Sequence, residues 1–235
     1  MSERPWIPVE NRLLAALPSD EYQRLFPNLE TVSLAFKQAL YEPREPIQYV
    51  YFPKRGVVVS LLAVMADRNI AEVGLVGNEG LVGLPVFLGV ETTPFKAIVQ
   101  IPGNAMRIKA DVFKHSINRG SLLPELLHHY TYMLMSQISQ SMACHSRRHS
   151  VEQRCCRWLL MNHDCLDSDQ FPITQKFLSQ MLGVRRASVT VVIGRLQKSG
   201  LLRHHRGQMT ILDRQGLEAA ACECYRLIKE EFDRF

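Results

Sequence analysis

The hydrophobic period of this 235-residue chain changes partway along it, and that change restricts the folds open to it. Between residues 30 and 109, runs rich in Val, Ile, Leu, Tyr and Phe occupy 31–36, 47–52, 57–64, 70–76, 95–101 and 105–109. Turn chemistry separates them at Pro43-Arg44-Glu45-Pro46, Pro53-Lys54-Arg55-Gly56, Asp67-Arg68-Asn69, Gly77-Asn78-Glu79-Gly80 and Pro102-Gly103-Asn104. Short strands punctuated at near-regular intervals predict an antiparallel barrel or sandwich. After about Asp111 the spacing becomes helical. Strands in one block and helices in another give an α+β fold rather than an alternating α/β sheet.

Before the strands, residues 11–17 form a short helical pattern stopped by Pro18, and 19–25 form a second with Ser19 as its N-cap. Beyond them, Leu123, Leu127, Tyr130, Leu134, Gln137, Ser141 and Cys144 recur alternately four and three residues apart. That seam suits a helix packed on a partner helix, and equally an ordinary core helix, since it spans only about three heptads. Ser150-Val151-Glu152-Gln153 has capping-box spacing and predicts a new helix through Trp158-Leu159-Leu160-Met161, ending in the polar stretch 162–169. Three units result: 1–119, a long helix over 120–149, and 150–235.

Charge singles out the last unit. From Arg147 to Arg214 there are 12 Lys or Arg against 5 Asp or Glu, a balance of +7 in a chain whose net charge is +5. A localised basic region suits a polyanionic partner, or else a solvated face. Within it, Phe177, Leu178, Met181 and Leu182 mark the inner face of one short helix, Gly183 a tight turn, and Val189, Val192, Ile193 and Leu196 the inner face of a second. This is a helix-turn-helix pattern. Residues 203–213 (Arg203 to Gln208, then Met209 to Asp213), two short strand patterns around a basic turn, add a wing.

Other chemistry is poorly represented. There is no P-loop, Gly-x-Ser-x-Gly, His-Glu-x-x-His or dinucleotide fingerprint, so no enzyme is expected. All six cysteines lie at or after Cys144 and read as reduced thiols. Cys155 and Cys156 point different ways from one helix, as do Cys222 and Cys224 on the helical reading of that segment, and the first pair is read as packing thiols. His145 and His149 could share a metal but lack a third ligand at clear spacing, so no metal site is expected. The opening Met1-Ser2-Glu3-Arg4-Pro5-Trp6 lacks a signal peptide's apolar core, and the longest apolar run, 56–66, is too short to cross a bilayer. A cytoplasmic protein without membrane contact is expected.

The order of short helices, punctuated β domain, long helix and winged helix-turn-helix resembles the Crp/Fnr superfamily of bacterial transcription regulators. Gly80-Leu81-Val82-Gly83, the 150–160 helix with Arg154, the 173–202 motif and Ile211-Leu212-Asp213 carry the likeness, which spans nearly the whole chain. The resemblance implies a cyclic-nucleotide-binding-like antiparallel β-barrel (jelly roll) as effector-sensing domain over 1–119. It further implies a dimerisation helix over 120–149 with Leu123, Leu127, Tyr130, Leu134, Gln137 and Ser141 at the seam, and a winged helix-turn-helix DNA-binding domain over 150–235. The implied partners are a second copy of the chain, double-stranded DNA with a palindromic operator, and RNA polymerase.

The superfamily's residues transfer unevenly. Where the cyclic AMP receptor protein has Gly-Glu for the ribose, this chain has Gly83-Leu84; where it has Arg-Ser or Arg-Thr for the cyclic phosphate, this chain has Phe95-Lys96. Cyclic AMP is therefore disfavoured, because Lys96 lacks the bidentate fork of a guanidinium. An unidentified small-molecule effector would be met by Val82, Gly83, Leu84, Val86, Phe87, Phe95, Lys96, Ser139 and Gln140; the alternative is a side-chain-filled barrel with no ligand. The iron–sulfur branch expects N-terminal cysteines, which are missing before Cys144. In the second helix the superfamily's Arg-Glu-Thr-Val-x-Arg reads Arg186-Ala187-Ser188-Val189-Thr190-Val191. Arg186, with Ala187, Thr190 and Val191, is assigned to base edges; Thr174, Gln175, Arg185, Ser188, Lys198, His205 and Arg206 are assigned to phosphates.

Overall fold

A computed structural model describes residues 9–66, 70–117, 121–145 and 149–234; the Asp67-Arg68-Asn69 turn, the 119/120 junction, Arg147 and Arg148 lie outside the described residues. Asn11 caps α1 (Arg12–Ala15), accepting from the Leu14 N–H at 3.2 Å, and its amide donates to the Pro53 and Gly80 carbonyls at 3.1 and 2.8 Å. One buried side chain thus fixes the helix to the β domain. In α2 (Ser19–Leu25), Ser19 is the first helical residue and not the cap; Pro18 precedes it and no side chain caps the turn.

The β domain comprises β1 (Glu30–Leu34), β2 (Ala39–Tyr41), β3 (Tyr49–Pro53), β4 (Val58–Val64), β5 (Ile70–Val76), the single helical turn α3 (Leu84–Phe87), β6 (Phe95–Ile101), β7 (Gly103–Lys109) and the short helix α4 (Ala110–Ser116). Its strands form two antiparallel sheets, ordered β1-β7-β3 and β2-β6-β4-β5, so among the described residues the architecture is an open sandwich and not a closed barrel. An isolated bridge, Tyr51 to Val82, brings the Gly80–Gly83 segment against β3. At three residues, β2 is too short for its alternation to be read from sequence.

The strand β4 explains the longest apolar run. Val57, Val59 and Leu61 enter the core between the sheets, whereas Val58 and Leu62 join a second core that includes Trp158, Leu159 and Phe177. A strand covered on both faces reads as continuous hydrophobicity. The cover on its outer face is the C-terminal unit: α6 (Val151–Asp164), β8 (Gln170–Pro172), α7 (Gln175–Met181), α8 (Arg186–Lys198), β9 (Leu202–His205), β10 (Gln208–Ile211), α9 (Arg214–Ala220) and α10 (Cys224–Asp233), which follow α5 (Leu122–His145). The capping box at Ser150 is present in both directions, Gln153 N–H to Ser150 Oγ at 3.2 Å and Ser150 N–H to Gln153 Oε1 at 3.0 Å.

The seam of α5 faces inward. Leu123, Leu127, Tyr130, Leu134, Gln137 and Ser141 are all at most 5% exposed and pack on their own chain, which corrects their assignment to a partner-facing surface. The reason is local: the edge of the sandwich offers apolar and hydrogen-bonding surface to that face first. Gln137 receives the Leu75 N–H at 2.7 Å and donates to the Leu75 carbonyl at 3.2 Å, sealing the edge strand β5. Tyr130 lies so close to Gly80 that a Cβ there would overlap its ring. Its hydroxyl donates to the Leu81 carbonyl at 3.3 Å. The stripe left in solvent is instead His128, Tyr132, Met135, Ser139 and Met142, again alternately four and three apart, with Tyr132 60% and Met135 62% exposed.

Candidate nucleic-acid interface

Thr174 caps α7, its hydroxyl accepting from the Phe177 N–H at 3.2 Å. Gly183 then turns the chain in the left-handed region at φ +62°, a conformation costly for any residue with a Cβ. Phe177, Leu178, Met181 and Leu182 on α7 and Val189, Val192, Ile193 and Leu196 on α8 are buried against one another and against α6, as the sequence predicts. Arg154 is the brace behind them: it is buried and donates to the Leu182 carbonyl, where a cation also suits the C-terminal end of α7.

Not every arginine of the basic region therefore contributes to its surface. Arg154 and Arg157 are buried, and Arg214 pairs with Asp164 at 2.5 Å and Glu218 at 2.9 Å. The positive surface is carried by Lys176, Arg185, Arg186, Arg195, Lys198, Arg203 and Arg206, all exposed. Among the described residues, Arg185, Arg186, Lys198 and Arg206 have no acidic partner, and Arg195 has only a loose contact with Glu152 at 3.7 Å. Cations left unneutralised on one surface are available to phosphates.

The outer face of α8 presents Arg186, Ala187, Thr190 and Val191 to solvent, the last 54% exposed. Thr190 donates to Gln175 Oε1 at 2.7 Å, which ties the start of α7 to the middle of the outward face. Arg185 precedes the helix without a side-chain cap, and Ser188 is half-buried in its first turn, its N–H donating to the Arg185 carbonyl at 3.0 Å. Beside α8 stands a three-stranded sheet ordered β8-β10-β9. Its two-residue turn has positive φ at both Arg206 (+48°) and Gly207 (+78°), the type I′ hairpin that sets Arg206 at the tip. His205 is exposed next to it, whereas His204 is half-buried with Nε2 3.0 Å from the Ile173 carbonyl. Thr174 is exposed and Gln175 half-buried.

The two units meet through buried polar groups that sequence reading missed. Glu72 on β5 accepts from Trp158 Nε1 at 2.6 Å, Ser60 donates to Gln100 at 2.6 Å, and Gln100 donates to Asn162. Burial pushes the Glu72 carboxyl up to about 7, opposed by hydrogen bonds from Ser60 and Trp158 and by the charge of Arg157.

No curated protein matches the chain in sequence. Residues 153–220 match the Crp-like helix-turn-helix domain. The structure superposes on FixK2 from Bradyrhizobium japonicum with a TM-score of 0.69 at 17% identity, covering 83% of this chain and 98% of that one. The two share one fold, and this chain carries a Crp-like helix-turn-helix domain. A Crp/Fnr-family transcriptional regulator from Thermus thermophilus gives 0.65 at 21% identity over 82% of this chain and 98% of that one. The c-di-GMP-responsive global regulator CLP from Xanthomonas campestris gives 0.63 at 17% identity over 83% and 99%. At such identities the likeness is one of fold.

The expected effector residues lie in differing surroundings. Val82, Leu84 and Val86 are buried core residues, Gly83 turns at φ +107° against β3, and Phe87 packs edge-on to His128 at 5.0 Å. Phe95 is 38% exposed, Lys96 is held by Glu42 at 2.6 Å, Ser139 is exposed on the outer stripe of α5, and Gln140 is half-buried. Two cavities among the described residues touch none of them; one, about 160 Å³, lies between α5 and α10 and is lined by Arg12, Glu79, Gln137, Asp164, Tyr225 and Lys229 among others. Cys155 and Cys156 are buried in the second core, with burial raising both thiols, in keeping with packing roles. Cys222 and Cys224 require correction. Ala221 is extended at ψ 162°, breaking the helix before them, so their side chains converge with those of Cys144 and His149. The His145 side chain lies outside the described residues.

Proposed function

We propose that the protein is a homodimeric, sequence-specific DNA-binding transcription regulator. The observation that carries this reading is the solvent-facing surface of α8 and the wing, where Arg186, Thr190 and Val191 flank unpaired Arg185, Lys198 and Arg206. A second copy would pair through the outer stripe of α5, whose Tyr132, Met135 and Met142 repeat at coiled-coil spacing. Two recognition helices would then meet successive major grooves of a palindromic site. RNA polymerase, the partner implied by the family resemblance, would act on the DNA-bound dimer.

Regulation has two readings. In one, an effector favours one arrangement of the dimer. In the other, the β domain works without a ligand at the family position, which is favoured by the ion pair of Lys96 with Glu42 and the core placement of Val82 and Leu84. Fluorescence anisotropy with labelled duplex DNA tests the function: affinity should fall steeply and log-linearly with salt, as phosphate contacts require. Salt-independent affinity, or none for any duplex, refutes it. Mass spectrometry of any molecule released on denaturation, and the effect of adding it back on DNA affinity, distinguishes the two readings.

A further inference from the structure

We propose that Cys144, His149, Cys222 and Cys224 form a mononuclear, tetrahedral site for a zinc-class divalent cation. The four potential ligand atoms all lie within 4.8 Å of one another. Cys144 Sγ is 3.4 Å from Cys222 Sγ, and Cys224 Sγ is 3.9 Å from His149 Nδ1. Zinc–sulfur bonds of about 2.3 Å in a tetrahedron separate two sulfurs by about 3.8 Å, so small side-chain adjustments admit the ion. A disulfide between Cys144 and Cys222 would need closure to about 2.05 Å.

Three independent features point to a cation. First, His149 Nε2 lies 3.1 Å from Glu223 Oε2, leaving Nδ1 turned toward the sulfurs; a carboxylate orienting the far nitrogen is the usual support of a metal-bound imidazole. Second, Cys144, Cys222 and Cys224 form a satellite cluster of their own, apart from both aliphatic cores, so packing does not account for them. Third, Arg157 is 3% exposed with its Nε unpartnered and, among the described residues, has no carboxylate at ion-pair distance. Its charge acts on all three sulfurs. Three thiolates around a dication carry one net negative charge, the counter-charge a buried guanidinium needs.

Loading would release the thiol protons and join three segments: the end of α5, the residue before the Ser150 cap, and the turn entering α10. The ion is thus a clamp holding the C-terminal unit to the long helix, and the site stands whether or not the protein binds DNA.

The test uses full-length protein, reduced, stripped with chelator and titrated with Zn²⁺ or Co²⁺ alone. Expected are one equivalent bound per chain and, with cobalt, thiolate charge-transfer absorption with tetrahedral ligand-field bands. Cys222→Ser and His149→Ala should abolish both. Glu223→Ala, an exposed change that leaves the four ligands in place, should weaken zinc affinity about 10–100-fold while leaving the melting of the stripped protein unchanged. No stoichiometric binding, an octahedral cobalt spectrum, a Cys144–Cys222 disulfide in the protein as isolated, or unaltered zinc affinity in Glu223→Ala would each overturn the proposal.

Discussion

Arg154 and Arg186 are indistinguishable as charges in the sequence, yet one is a buried strut under Leu182 and the other an exposed group on the outer face of α8. Their roles follow from partners, not from type. On the proposed function, Arg186 offers its fork to a guanine edge, whereas Arg206 at the wing tip meets the backbone as a charge. Replacing Arg186 with Ala should therefore cost about 1–3 kcal/mol and relax preference at one base pair per half-site. Arg206→Ala should weaken binding to all sequences alike and flatten the salt dependence by about one contact. Competition titrations against single-position operator variants separate the two; an equal, sequence-blind loss from both changes would contradict the assignment. At this scale Gly183 and the Ser150 box were legible, because backbone geometry demands those residue types. The burial of Arg154 and Arg157 was not, since a long side chain gives no local sign of where it ends.

Among the elements, α5 shows what periodicity can and cannot tell. Its four-three spacing identified a helix with a covered face, but a covered face has the same pattern whether a sheet or a second helix covers it. The inward seam is occupied by the chain's own sandwich, and the second stripe, Tyr132, Met135, Ser139 and Met142, hid behind its mixed polarity. If copies pair through this stripe as proposed, Tyr132→Glu should be monomeric by light scattering where the parent chain is dimeric, without a lower melting temperature. A dimer that survives the substitution would remove this face from consideration. The Cys222-x-Cys224 pair was misread for a related reason: treated as helical, two residues apart diverge, but on the extended backbone at Ala221 they converge with Cys144 and His149.

Across the whole molecule, the Crp-like domain docks on the outer face of the β2-β6-β4-β5 sheet, and one shared core joins the two halves. The unbroken run through β4 held a trace of this, because burial on both faces removes the alternation of an ordinary surface strand. The polar contacts were invisible, being made between residues as distant as Glu72 and Trp158. Glu72 gives the interface a pH response. Its carboxyl is raised from 4.5 to about 7, so the folded state holds the proton more tightly than the unfolded chain. Its contribution is greatest at low pH and is lost as pH rises from 4.5 through about 7. The melting temperature should fall between about pH 5 and pH 8, and Glu72→Gln, which keeps an acceptor for Trp158, should reduce that fall. An identical pH dependence in the variant would exclude Glu72 as its source.

If two copies of α8 read one palindromic duplex, that symmetry should be visible in the sequences that the full-length protein selects from a random duplex pool. The expected result is an enriched inverted repeat with half-sites about 10 base pairs apart, centre to centre. An enriched single half-site without a repeat, or no enrichment, would contradict it.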